Sequence, residues 1–194
     1  LLKWRSIGSG SVGRYTQYGP HGACIYILSA AGVGEVATAQ RSYGPSQEKK
    51  TEFICDFWVP YSTYLYSIGF TLAVYDGSQV VLCGVNWLKA GTKWRYLDVN
   101  EALQDITNGV QNLQIYDLTQ EYWHRIQLVA DIANRKYDFL MCDGRIMPLK
   151  DIAMMTDDVD DVYGNISLSV QNNHASNVSE LYVGYVRLSG YPGV

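Results

Sequence analysis

The sequence has only three histidines, five prolines and four cysteines in 194 residues, and these scarcities exclude several kinds of chemistry. His21 and His174 have no partner at metal-ligand spacing. Cys24, Cys55, Cys83 and Cys142 form no C-x-x-C pair, which excludes a zinc ribbon or a thioredoxin-type centre. Each cysteine sits in an apolar, strand-like run, where a buried thiol is the expectation; a secreted protein would allow one or two disulfides of open pairing. No basic run exists, and 15 basic against 19 acidic side chains leave a formal charge of −4. A nucleic-acid partner is therefore not expected. No apolar run is long enough to span a bilayer, so no membrane span is expected. The chain begins at Leu1 without Met or signal peptide, the pattern of a trimmed or processed start.

What is present is aromatic and turn-forming. The chain has 16 Tyr, 5 Trp and 18 Gly, with 47% hydrophobic and 18% charged residues. That composition suits a globular chain of strands and turns, and its length suits one domain over residues 1–194. Tyr and Trp also line sugar-binding and protein-binding surfaces, because each offers a flat apolar face with a polar tip.

Residues 121–146 carry the sharpest topological signal. His124, Ile126, Leu128 and Ala130 alternate with Trp123, Arg125, Gln127, Val129 and Asp131. Asn134, Arg135 and Lys136 make a polar turn, residues 137–142 a return strand, and Asp143-Gly144 a second hairpin turn. Elsewhere, strands are expected near residues 1–7, 23–29, 35–43, 51–59, 67–75, 80–87, 93–99, 112–118, 166–170 and 181–188. Asp76-Gly77 marks a further hairpin. The run Gly8-Ser9-Gly10-Ser11-Val12-Gly13 matches G-x-G-x-x-G. The next residues, Arg14 to Pro20, are turn-like and not helical, so the reading is a flexible loop and not a dinucleotide site. Residues 100–108 read as a short connector helix, with Asn100 as cap, Glu101 in the first turn and Gly109 as stop. Residues 152–155 read as a helical turn or a loop, and residues 171–179 as a long exposed polar loop. The sum is an all-β antiparallel sandwich or jelly roll with one short helix.

The progression Trp123-His124-Arg125-Ile126, Val129-Ala130-Asp131, Tyr137-Asp138-Phe139, Asp143-Gly144 resembles the strand segment of concanavalin A-like and laminin-G-like domains. Residues 179–188 resemble their last strand, with Gly184 where that pattern usually carries Asp or Asn. The resemblance implies a concanavalin A-like sandwich and an extracellular or surface-exposed setting. It leaves function open among lectins, carbohydrate-binding modules, hydrolases, lyases, and adhesion or coat proteins.

The leading expectation is a non-catalytic carbohydrate-binding or adhesion module, in which sugars stack on aromatics while carboxylates and amides bond hydroxyls. Asp56, Trp58, Trp94, Tyr96 and Asp98 are the candidate carbohydrate-binding residues. The alternatives are a coat or filament subunit that forms a homo-oligomer, and a polysaccharide hydrolase or lyase. The hydrolase motif Glu-x-Asp-x-x-Glu is absent, and Glu52 and Asp56 are the nearest arrangement on one strand face. A lyase would draw on Gln40, Arg41, Tyr122 and His124, although His124 reads as a structural histidine at the sheet edge. Asp157, Asp158, Asp160 and Asp161 are a candidate calcium site, since Ca²⁺ takes hard oxygen ligands from loops. Asn165-Ile166-Ser167 and Asn177-Val178-Ser179 match the N-glycosylation pattern.

Overall fold

Alternating apolar and polar side chains give each strand one face to bury, and two stacked sheets bury those faces against each other. The computed structural model describes residues 4–19, 22–43, 50–60, 63–107, 123–158 and 164–190. Its strands are β1 (Arg5–Gly8), β2 (Ser11–Gly19), β3 (Gly22–Leu28), β4 (Gly32–Tyr43) and β5 (Lys50–Trp58). They continue with β6 (Leu65–Tyr75), β7 (Val80–Leu88), β8 (Lys93–Leu97), β9 (Leu103–Asp105) and β10 (His124–Asp131). The last are β11 (Lys136–Cys142), β12 (Arg145–Pro148), β13 (Met155–Asp157), β14 (Gly164–His174) and β15 (Glu180–Gly190). Eight strands form one sheet in the order β1-β4-β14-β6-β7-β8-β9, with β13 also paired to β7. Seven form the other in the order β12-β11-β10-β5-β15-β3-β2. All pairings are antiparallel.

The core lies between the sheets. Phe53, Cys55 and Phe57 of β5 face Ile68, Phe70, Leu72 and Val74 of β6, and all are buried. The Phe57 and Phe70 rings stand 5.1 Å apart, and Phe70 continues to Trp94 at 6.2 Å. Burying each such side chain contributes about 1.5–3 kcal/mol. All four cysteines are buried free thiols, and Cys55, Cys83 and Cys142 lie within this interior.

The hairpin signals hold. Asp143 and Gly144 both take positive φ, 49° and 80°, as a tight primed turn requires. Four expectations need correction. Residues 100–107 contain no helix: Leu103–Asp105 is strand β9, paired with β8. The Asp98 carboxylate accepts the amides of Asn100 and Ala102, and the Asp98 amide donates to the Ala102 carbonyl, which closes a hairpin instead. The glycine-rich run 8–13 is not a loose loop but the crossing from β1 in one sheet to β2 in the other, and residues 14–19, read as turn-like, are the continuation of strand β2. A side chain at Gly10 would stand 2.0 Å from the Leu28 carbonyl and 2.3 Å from the Ala37 side chain, so the crossing needs glycine there.

Residues 152–155 form neither helix nor free loop, since Ala153 bridges Lys136 and Met155 begins β13. Residues 171–179 are not uniformly exposed, because β14 runs to His174 and Asn172 and Ser179 are buried. The Asn172 amide donates to carbonyls including those of Gly32, His174 and Asn177, while its own oxygen accepts from Ser179. Tyr122, Asp160, Asp161 and the strand expected at 112–118 lie outside the described residues.

Candidate functional site

The expected binding residues do not share one surface. Asp56 and Trp58 lie on β5, at the middle of the seven-stranded sheet, pointing away from the core. Asp56 is 5% exposed and accepts both Arg125 Nε (2.6 Å) and Arg125 Nη2 (2.7 Å), its direct cross-strand neighbour. A bidentate pair of this kind occupies both carboxylate oxygens. Glu52, two side chains along the same face, accepts from Gln127, Ser189 and Arg187. The Glu52 and Asp56 carboxylates thus brace β5 against β10 and β15. Trp58 is half-buried beside Tyr182 of β15 (ring centroids 4.9 Å apart) and Trp123 (6.3 Å). Tyr182 is opposite Tyr26 of β3 and meets Tyr15 edge-on at 5.9 Å. The result is an aromatic row across one end of this sheet.

Trp94, Tyr96 and Asp98 belong elsewhere. Trp94 is 1% exposed, lies opposite Trp87 and packs into the core, so it has no face to offer a sugar. Tyr96 points inward as well and packs edge-on against Tyr137 at 6.0 Å. Strand β8 carries large amphipathic side chains on both faces, and the face that turns inward is the one bearing Trp94. Asp98 is the acceptor that closes the hairpin between β8 and β9. The Ala102 amide, Gln104 and the Asn100 amide hold its carboxyl below the usual range, which keeps it ionised as a structural acceptor.

Among the described residues, the lyase-type set of Gln40, Arg41 and His124 does not converge. Gln40 and Arg41 are successive residues of β4 and face opposite ways. His124 is 1% exposed, on a strand between β5 and β11, and not at a sheet edge. Its Nδ1 lies 2.7 Å from Asp143 Oδ2. Burial pushes the Asp143 carboxyl up, but bonds from His124 and the Arg125 amide outweigh it and hold the group ionised below its ordinary range. This couple fixes the turn after β11 to the start of β10. Among the described residues no three His, Cys, Asp or Glu side chains gather as metal ligands. Asp157 ends β13 on the edge of β7, and Asp158 accepts from Gln79.

A polar surface that no sequence motif marks covers the outward face of the eight-stranded sheet. Its residues alternate with core positions on β4, β14, β6, β7 and β8. The register aligns them in rows across the strands. One row runs Thr38, Ser169, Gly69, Asn86, Arg95, Asp105. The next runs Gln40, Ser167, Thr71, Gly84, with Leu97 beside Gly84. Flanking rows place Ser42, Asn165 and Ala73 on one side and Gln171 and Ser67 on the other.

The side chains interlock. Gln40 donates to Ser167 (3.4 Å), Ser42 to Asn165 (2.8 Å), Ser67 to Gln171 (3.2 Å) and Arg95 to Asn86 (2.6 Å). Lys93 pairs with Asp105 at the rim. At Gly69 an added side chain would stand 2.6 Å from Ser169 Oγ, so the floor of this face is filled to the level of its glycines. The trace it leaves in the sequence is period-two: Thr38-x-Gln40-x-Ser42, Ser67-x-Gly69-x-Thr71 and Asn165-x-Ser167-x-Ser169-x-Gln171. Such hydroxyl and amide runs in strands leave their unpaired donors and acceptors facing solvent.

No protein-family model matches the sequence, and no curated protein matches it by sequence. The fold has solved counterparts. The alginate lyase vAL-1 from Chlorella virus superposes with a TM-score of 0.58 at 11% identity, over 97% of this chain and 93% of that one. A legume lectin-like domain from Entamoeba histolytica gives 0.56 at 12% identity, over 96% and 90%. The VIP36 exoplasmic/lumenal domain, in its Ca²⁺/Man3GlcNAc-bound form, gives 0.55 at 9% identity, over 98% and 85%. The chain has the concanavalin A-like jelly-roll fold. Among the described residues no helix is long and apolar enough to cross a membrane.

Proposed function

We propose that the protein is a non-catalytic carbohydrate-binding module and that the outward face of its eight-stranded sheet holds the glycan. The observation that carries this reading is the aligned array of hydroxyl and amide side chains over adjacent strands, from Gln40 through Ser167, Ser169 and Thr71 to Asn86. A sugar presents hydroxyls that each donate and accept, and uncharged amides and hydroxyls match both roles without the desolvation cost of an ion. Arg95, fixed by Asn86, adds a charge-assisted donor at one side. Leu97 and Leu103, the latter 41% exposed, supply apolar contact for the C–H face of a ring. The legume lectin-like and VIP36 domains, which share the fold, support the glycan class.

A glycan array followed by calorimetry on the best binder tests the proposal. Binding is expected to weaken at least tenfold in Asn86→Ala and in Arg95→Ala, and to be unchanged in Trp58→Ala. Silence across the array overturns the glycan reading. Loss in Trp58→Ala with Asn86→Ala unaffected overturns the choice of face and moves the site to the aromatic row. Concentration-dependent assembly in glycan-free buffer, with a silent array, favours a coat or filament subunit instead.

A further inference from the structure

A second recess lies away from the polar face. It has a volume of about 450 Å³ and is lined by residues of β2, β3 and β15 from one sheet, with Arg41 of β4 from the other sheet and Trp4, which stands just before β1. That volume falls in the range of small-molecule sites, about 300–1,000 Å³. The walls are apolar: Val12, Ile25 and Val183, with the Trp4 ring. The irregularity of β15 between Val183 and Tyr185 places Gly184 in the wall, where it adds no side chain of its own. Cys24 in the lining is an uncharged thiol, because burial raises it above its ordinary value.

Two cations line this apolar recess. Arg14 comes from β2 and Arg41 from β4, so opposite sheets contribute them. Neither side chain has a hydrogen-bond or ion-pair partner among the described residues. Arg95, Arg125, Arg135 and Arg187, by contrast, each engage a side-chain acceptor. In a chain of net charge −4, two guanidinium groups without counter-ions among the described residues, at one apolar recess, mark a site complementary to an anion. We propose that this recess binds a small carboxylate carried on an apolar body, the carboxylate held by Arg14 and Arg41 and the body lying against Trp4, Val12, Ile25 and Val183. The site is separate from the glycan face and does not depend on that reading.

Calorimetry on the whole chain with octanoate, octanol and glucuronate separates the two requirements, charge and apolar body. Octanoate is expected to bind saturably at one equivalent. Octanol, which lacks the charge, and glucuronate, which lacks the apolar body, should each bind at least tenfold more weakly. The double variant Arg14→Gln/Arg41→Gln should lose at least tenfold in octanoate affinity. Lys150→Gln, remote from the recess, should lose none. Both arginines lie outside the packed core, and an unchanged melting temperature would show that the double variant keeps its fold. The proposal is overturned if octanoate does not bind, if octanol binds as well as octanoate, if glucuronate binds more tightly, or if the double variant binds octanoate normally.

Discussion

Tyr137 shows how a single side chain joins the two sheets. It starts from β11 in the seven-stranded sheet, and its hydroxyl crosses the core to accept the Gly84 amide at 2.9 Å and donate to the Leu97 carbonyl at 2.9 Å. Burial, reinforced by Cys83 nearby, holds that hydroxyl protonated far above its ordinary range. Tyr137→Phe would leave a buried N–H and a buried carbonyl without their partner. The expected loss is about 1–3 kcal/mol of stability, read as a lower denaturant midpoint with an unchanged slope. A midpoint equal to that of the parent would show that water or a shifted strand replaces the hydroxyl. Gly84 also belongs to the floor of the polar face, so the same bond steadies the proposed glycan surface from below. Tyr137 was legible in the sequence as a strand residue, but the partner of its hydroxyl was not. That partner sits 53 residues away, and only the sheet order brings it near.

At the scale of elements, most strands were readable, though not β2 or β9, and their sides were readable only in part. Thr51, Phe53, Cys55 and Phe57 alternate with Glu52, Ile54, Asp56 and Trp58, and the apolar set faced the core as the period-two pattern implies. Strand β8 defeated the same logic, because Trp94 and Tyr96 alternate with Lys93, Arg95 and Leu97, and either set has stem enough to pack. The segment after β8 failed for a different reason. Asn100, Glu101 and Gly109 are sound local helix signals, yet the Asp98 carboxylate gathers two amides and Glu101 takes a φ of 61°, which turns the chain back on itself. Asp98→Ala should therefore speed amide hydrogen exchange at Asn100 and Ala102 and through Leu103–Asp105, while Asp98→Asn, which keeps an acceptor oxygen, should speed it less. Exchange unchanged in Asp98→Ala would mean that strand pairing alone holds the hairpin. The polar face was hidden for a third reason: each strand supplies only a few of its residues, and their alignment depends on β4, β14 and β6 becoming neighbours.

At the scale of the whole molecule, the sandwich is closed at one end by a clasp between turns of opposite sheets. Arg135, between β10 and β11, donates to Asp76 at 3.0 Å, to Gln79 at 2.7 Å and to Ser78 at 3.2 Å in the turn between β6 and β7. Asp76 also accepts the amides of Ser78 and Gln79 and the Ser78 hydroxyl. Burial pushes its carboxyl up, but these donors together outweigh burial and bring it down to about 2. The unfolded chain holds the same group near its ordinary value of about 3.9. A folded value below the unfolded one means that Asp76 stabilises the fold fully above about pH 4 and loses that contribution as pH falls toward about 2. Asp143 shifts in the same direction and adds to the same acid-side loss. The Asp76→Asn variant, which cannot form the ion pair, should melt below the parent at about pH 6. The gap should narrow through the acid range and nearly close by about pH 2, where the parent's own carboxyl protonates. Melting temperatures of both proteins across that range provide the check. Parallel curves would show that the clasp works through shape and hydrogen bonding alone, with no contribution from the charge of Asp76.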